Sequence, residues 1–463
     1  MTLIELDRDA PLDPVAAPGP PPHRYRPAGL LLALALVVLL GGAAPPSGTI
    51  WRHLGVLPPT AGLETPIQLA GGRLFTVAPV GGRRVLTAWT LQPAPARLWS
   101  AELPHDPAVD ASVPIPVTVR QRGDLVLATA GMTTAALESA TGRPRWIFGA
   151  RIAAAGGDLG VMVERIFRPG TDYDQESGAP GRLYFSADGQ PHTEPPIRTE
   201  VRGIDLATGA VLWTATQAGS VTADPVPGDR PAVLITASDR LTLHDARTGA
   251  ALRETELPQR SGAGPASSSV VGPVAVIGYE EAGVQAGYDT RTLDLLWTRD
   301  LHTEMDPPSC AGLLCAGSRD ATVVLDPRTG QPLWGLDHPA DLEVRAGWVV
   351  DIDPSTGAPA RLLDPATGDP RTELTGWTDL VESFAADRLV LRRDGRAFGV
   401  VLAGGPSGAA GSAGDPFGAA GPAGDPVVRL LGGAELDGQE CAADDRYVVC
   451  RAVQGLRIWA YRV

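Results

Sequence analysis

The chain contains no lysine and no asparagine, has only four cysteines, and draws 5% of its residues from the aromatics. Without lysine there is no Schiff-base amine and no P-loop ammonium, and without asparagine there is neither an Asn metal ligand nor an Asn-linked glycan. No G-x-S-x-G nucleophile elbow occurs either. The formal charge is −14, and no block of arginines stands outside the short segment holding Arg24 and Arg26. A nucleic-acid surface needs clustered cations to displace counterions from phosphate, so that class of partner is excluded. The seven histidines are scattered singly, with no two at metal-ligand spacing. What is abundant is Ala, Gly, Pro and Arg, the bias expected of a high-GC bacterial coding sequence.

One apolar run stands apart. Ala28 to Ala44 reads AGLLLALALVVLLGGAA, carries no charge and follows Arg24 and Arg26 directly. Its length suits a short membrane span, and the preceding arginines hold residues 1–27 in the cytoplasm as a proline-rich tail. We therefore expect a single-pass cell-membrane protein with an uncleaved anchor at 28–44 and an extracytoplasmic domain over 49–463. A cleaved signal peptide is the competing reading, because Gly42, Ala43 and Ala44 are small. The long tail and the Pro45 and Pro46 pair at the would-be cleavage site weigh against it.

The cysteines form two local pairs, Cys310 with Cys315 and Cys441 with Cys450. In an exported domain the first expectation is two disulfides stapling neighbouring strands. Zinc is the alternative, although the pairs are far apart in sequence and no histidine is near either. Free buried thiols are the third reading.

A repeat dominates the remainder. It reads ALESATGRPRW (Ala136 to Trp146), GIDLATGAVLW (Gly203 to Trp213), LHDARTGAALR (Leu243 to Arg253), GYDTRTLDLLW (Gly287 to Trp297), VLDPRTGQPLW (Val324 to Trp334) and LLDPATGDPRT (Leu362 to Thr372). Each copy is a strand end, an acid, a turn and a second strand. The turn acid accepts backbone N–H groups, the threonine adds another such bond, and the glycine takes the left-handed conformation that closes the hairpin. We assign these turn roles to Asp205, Thr208 and Gly209, to Asp245, Thr248 and Gly249, to Asp326, Thr329 and Gly330, and to Asp364, Thr367 and Gly368. Trp146, Trp213, Trp297 and Trp334 then offer flat surfaces for packing one sheet on the next. The turn acids Glu138, Asp205, Asp245, Asp289, Asp326 and Asp364 follow one another at 67, 40, 44, 37 and 38 residues, the economy of a four-stranded propeller blade.

Weaker copies at Arg84 to Trp99, Arg396 to Gly405 and Gly455 to Val463 bring the hairpins to nine. Thr49 to Leu57 looks like an outer strand lacking its sheet, and pairing it with the last hairpin would close the ring. We expect an all-β propeller of eight four-stranded blades, with seven or nine the neighbouring counts, preceded by one N-terminal transmembrane helix. A polar insertion at 168–200, with a small hairpin at Leu183 to Phe185, interrupts the rhythm. A Gly/Ala/Pro/Ser tract at 404–426 has almost nothing to bury and reads as a disordered loop.

The motif A-L-D-x-x-T-G-x-x-x-W, followed most closely at Gly203 to Trp213 and Val324 to Trp334, resembles the pyrroloquinoline-quinone (PQQ) enzyme repeat. The resemblance implies a PQQ-like β-propeller. Some members of that group are dehydrogenases holding the quinone with calcium, and others bind proteins and no quinone. Here the adjacent cysteine pair and the calcium-ligating asparagine of the dehydrogenases are missing, and the chain is shorter than those enzymes. No catalytic, cofactor-binding or metal-binding residue carries over. The expectation is a non-catalytic protein-binding scaffold or sensor without a cofactor, with a partner in the cell envelope. A propeller that takes a quinone or another small ligand in its axial channel is the alternative.

Overall fold

A computed structural model describes residues 51–461 apart from 59–65, 81–82, 105–116, 174–182, 188, 263, 301–309, 318–319, 384–387, 394–396, 403–425 and 434–439. The expected cytoplasmic tail at 1–27, the expected anchor at 28–44 and nearly all of the 404–426 tract lie outside the described residues. Among the described residues no helix is long and apolar enough to cross a membrane.

Nine small antiparallel sheets follow one another along the chain, so the expectation of eight blades is corrected to nine. Blade 1 begins at Gln68–Ala70 and ends at Ala96–Glu102. Blades 2, 3, 4 and 5 end in the outer strands Pro144–Phe148, Val211–Ala218, Ala251–Glu256 and Leu295–Asp300. Blades 6, 7 and 8 end at Pro332–Leu336, Pro370–Glu373 and Val427–Gly433. Blade 9 joins both ends of the array: Cys441–Ala443, Tyr447–Ala452 and Gly455–Tyr461 are completed by Trp51–Leu57, which pairs antiparallel with Gly455–Tyr461. The terminal hairpin and the first strand thus make a sheet of their own, which is why nine hairpins mean nine blades. Joining the first strand to the last leaves the array without an open end.

Two strand segments bond across blades. Cys310–Ala311 pairs in parallel with Asp341–Arg345 of blade 7, and Glu382–Ser383 pairs in parallel with Cys441–Ala443 of blade 9. Successive innermost strands run the same way, so such parallel bridging is the natural contact between them.

Hydrophobic burial falls into nine clusters, one for each interface between neighbouring blades. The pair 1–2 buries thirteen residues including Phe75, Trp99 and Val126, and the pair 4–5 buries Leu234, Leu241, Ile277 and Tyr279. The closing pair 9–1 buries Leu57, Leu69, Val449 and Ile458. The pair 2–3 is the poorest, with Ala150, Met162 and Ile204 alone.

The repeat explains how blades are joined at their rims. In each turn the acid's carbonyl and carboxylate close the loop: in blade 4, Gly249 N–H donates to the Asp245 carbonyl at 2.8 Å, and Thr248 N–H and Arg247 N–H donate to Asp245 Oδ1 at 2.8 and 3.0 Å. The Thr248 hydroxyl accepts the Ala250 N–H at 3.3 Å. The residue after the acid then turns its carbonyl to the preceding blade, where a tryptophan Nε1–H donates to it. Trp99 bonds Ser139 at 2.8 Å, Trp146 bonds Leu206 at 2.9 Å, Trp213 bonds Ala246 at 2.9 Å, Trp297 bonds Pro327 at 2.7 Å and Trp334 bonds Pro365 at 3.0 Å. The turn glycine lies flat on the same indole. At Gly249 φ is +69°, and a Cβ there would run into the Trp213 ring. Glycine is therefore required twice, for the left-handed backbone and for the close approach.

Two of the six copies lack the tryptophan, with Thr372 in blade 7 and Arg253 in blade 4, and the second is matched by a change in the turn it faces. Blade 4 carries Arg253 in place of the tryptophan, exposed to solvent, and the turn it should meet in blade 5 carries Leu293 in place of glycine. Leu293 keeps the left-handed backbone at φ +61° and is 2% exposed, packed into the cluster between blades 4 and 5. Its side chain supplies apolar packing where the indole is missing.

The turn motif also occurs once where the sequence reading did not place it. Asp353 to Gly357, DPSTG, joins the second and third strands of blade 7, with Gly357 N–H on the Asp353 carbonyl at 2.7 Å.

Both cysteine pairs are bonded. Cys441 and Cys450 sit directly opposite each other on the first two strands of blade 9 with Cα atoms 4.1 Å apart. Cys310–Cys315 ties the segment bridging to blade 7 to the strand Leu314–Gly317 of blade 6.

Two outcomes follow for the rim. Arg253→Trp places an indole against Leu293 and Leu293→Gly leaves a void, so each alone destabilises by about 1–3 kcal/mol. Their combination costs less than the sum by about 1 kcal/mol or more, read from a double-mutant cycle in urea. For Asp245, the Thr248 N–H and hydroxyl and the Arg247 N–H hold the carboxyl below its ordinary value of 3.8. A depressed folded value stabilises above the ordinary value and is lost as pH falls through the folded one. Asp245→Ala is therefore less stable than the parent near neutrality, and the gap closes below pH 3.8 in denaturation series at stepped pH.

Candidate functional site

Regular repetition accounts for most of the ring, so the places where it is broken locate the candidate site. The largest break is in blade 3, between its second strand Leu159–Ile166 and its third strand Arg198–Asp205. The last residues of the 168–200 insertion thus belong to the blade. Within the insertion, Tyr184–Phe185 pairs with Pro191–His192 as a short hairpin. Its base is pinned by His192, 7% exposed, whose ring stacks on Phe167 at 3.7 Å between centroids. The His192 Nδ1 lies 3.2 Å from both Thr171 Oγ1 and Asp172 Oδ1. Asp172 is thereby a local tether of the insertion. Phe185 and Ile197 remain about half exposed, at 52% and 48%.

Below the insertion lies a cavity of about 690 Å³ that flanks the innermost strand of blade 3, Ile152–Gly156, and reaches from blade 2 to Ala223 of blade 4. Alternation builds one wall. Val117 and Val119 are buried against blade 1, which turns Thr118, Arg120 and Arg122 to the cavity. Arg151 and Arg165 approach from blade 3, and Ala187 of the insertion contributes the rim. Among the described residues the lining contains four arginines and no carboxylate.

Two of these arginines hold the interface together. The Arg122 guanidinium donates to the Gly157 carbonyl of blade 3, and Arg151 Nε donates back to the Gly131 carbonyl of blade 2 at 2.7 Å. Arg145 adds a contact to the Ala207 carbonyl at 3.4 Å. These polar pins accompany an interface with little apolar burial. Among the described residues Arg165 hydrogen-bonds the Phe185 carbonyl alone, at 3.5 Å, and burial lowers its pKa. Asp224 of blade 4, next in sequence to the lining residue Ala223, is turned to blade 5, where Ser268 Oγ–H donates to it at 2.6 Å; burial raises its pKa and that hydrogen bond opposes the rise.

The turn residues and the four expected tryptophans are spread around the rim and do not meet in one pocket. The cavity arginines were not among the sequence candidates, since they come from different strands. Their one signal was the alternation V-T-V-R-Q-R in residues 117–122, which turns two arginines to one face. Blade 7 holds a second group that spacing did not expose: buried Asp351 takes Arg361 Nε at 2.7 Å and lies 3.3 Å from His338 Nε2. Among the described residues no three His, Cys, Asp or Glu side chains are grouped as metal ligands.

Three comparisons bear on this architecture. No curated protein matches the sequence. Similar solved structures include BamB from Moraxella catarrhalis, 14% identical over 89% of this chain and 100% of that one at a TM-score of 0.36. Another is Saccharomyces cerevisiae Sqt1, 10% identical over 89% of this chain and 99% of that one at a TM-score of 0.42. The PQQ_2 family model, described as outer membrane protein assembly factor BamB, matches residues 197–360, from the third strand of blade 3 to the third strand of blade 7.

Proposed function

We propose that this chain is a non-catalytic protein-binding scaffold: a nine-bladed ring tethered outside the cell membrane by its N-terminal segment, which docks an envelope protein through the blade 3 insertion. The observation that carries this reading is the insertion, whose described residues form a short hairpin that interrupts a regular array and hold Phe185 and Ile197 out to solvent. Apolar side chains exposed on a structured loop suit a partner surface, and loops on a rigid scaffold are where such contacts concentrate. The family description of residues 197–360 as an outer-membrane assembly factor agrees with a role in bringing proteins together. Two disulfides suit an oxidising compartment, in line with the orientation expected from Arg24 and Arg26.

In-cell crosslinking, affinity purification of the membrane fraction and mass spectrometry test the proposal. We expect one stoichiometric envelope protein with the parent chain. Replacing residues 170–196 by a short turn should retain the parent circular-dichroism spectrum and lose the crosslink. Undiminished capture by that variant would remove the insertion from the docking surface, and no partner in repeated trials would sink the scaffold reading.

A further inference from the structure

We propose that the cavity flanking the innermost strand of blade 3 binds a small amphipathic oxyanion, a phosphate or carboxylate carried on a compact apolar group. The inference goes beyond the scaffold reading and does not depend on it.

The argument begins with charge. A chain of formal charge −14 lines one cavity with Arg120, Arg122, Arg151 and Arg165 and, among the described residues, with no acid. Among the described residues none of the four forms an ion pair with a carboxylate, although most described arginines with a short polar contact elsewhere meet one, as Arg202 does with Glu164 and Glu200. Arg122 and Arg151 use part of their donor sets to pin blades 2 and 3 together. Arg120 has no hydrogen-bond partner among the described residues, and Arg165 has the single long contact to the Phe185 carbonyl. A guanidinium offers five N–H donors in a fixed fork, matched to two oxygens of a carboxylate or phosphate. Burial already disfavours the cationic form of Arg165, and an anion alongside would offset that cost.

The packing supplies the second line. The interface between blades 2 and 3 buries three core residues, against thirteen at the neighbouring 1–2 interface. Small side chains at Ala153 and Ala154 leave the space unfilled, and Leu127, Met132 and Val163 give it an apolar wall. A volume of about 690 Å³ lies within the usual range for a small-molecule site, and apolar walls with a few converging polar groups are its usual construction. The arginines would hold the oxyanion and the apolar wall the remainder of the ligand.

Isothermal titration of the purified chain, with phenyl phosphate and phenylacetate as separate probes, tests the site without any protein partner. We expect saturable one-to-one binding of at least one probe, and the preferred one identifies the head group. Arg165→Met keeps the apolar stem and removes the fork; it should weaken binding about tenfold or more. Arg120→Met, at an exposed position, should do the same while leaving the fold untouched, so the test stands even if Arg165→Met unfolds. Silence from both probes at about 10 mM, or unchanged affinity in the folded variants, would overturn the proposal. Inorganic phosphate binding as tightly as phenyl phosphate would overturn its amphipathic half. Because no partner is present, failure here is distinct from failure of the crosslinking experiment.

Discussion

An indole of one blade donates its N–H to the carbonyl that follows the turn acid of the next blade, and lies flat on that turn's glycine. This contact occurs at five of the nine interfaces, through Trp99, Trp146, Trp213, Trp297 and Trp334. It makes the local hairpin and the global ring interdependent. The acid and threonine shape a turn whose free carbonyl faces outward, the glycine removes the Cβ that would block the approach, and the tryptophan reaches across with both a large apolar face and a donor. None of the three is useful at the interface without the other two. The coupled replacement at Arg253 and Leu293 expresses that dependence within a single chain, because a glycine facing no indole would leave a void and Leu293 occupies it.

Closure is the second constraint. A blade alone exposes a hydrophobic face on each side, so the array is satisfied only when every face finds a neighbour, and nine clusters at nine interfaces show that each does. The sheet that completes the circle is assembled from Trp51–Leu57 and the last three strands, and it is the one sheet whose strands are brought together over the whole length of the ring. The Cys441–Cys450 bond lies within that sheet. It staples the closing blade along its inner edge, while the pairing of Trp51–Leu57 holds the outer edge.

The repeat made the architecture legible, since a turn acid, a glycine and a tryptophan at fixed offsets are local chemistry that a linear sequence displays. The pairing of the Trp51–Leu57 strand with the last hairpin was legible as well, and the structure contains it; the expected count of eight falls one short because that pair and its neighbours make a complete ninth sheet. DPSTG at Asp353 escaped notice because it joins the second and third strands, outside the register in which the other copies recur. The arginine cavity was illegible because its residues are adjacent only in the folded ring. Arg120 and Arg122 come from blade 2, Arg151 and Arg165 from blade 3, and no linear window gathers them into the basic cluster that the sequence was judged to lack.

Blade 3 combines three departures that a repeat-building process does not require together: an insertion between its middle strands, an interface poor in apolar burial and a set of cations without carboxylates. Each has a structural cost. The 2–3 interface buries few apolar residues and is joined by exposed arginine hydrogen bonds whose net worth is about 1 kcal/mol apiece, and the half-exposed Phe185 and Ile197 forgo burial. A fold with eight better-packed examples of the same interface could bury apolar side chains here as well, as it does between blades 1 and 2. The chain instead keeps a cavity, its charge and a hairpin-bearing insertion in one place. Fold does not determine function, but the position where a repeating fold departs from its own most stable solution is where a function is most economically sought.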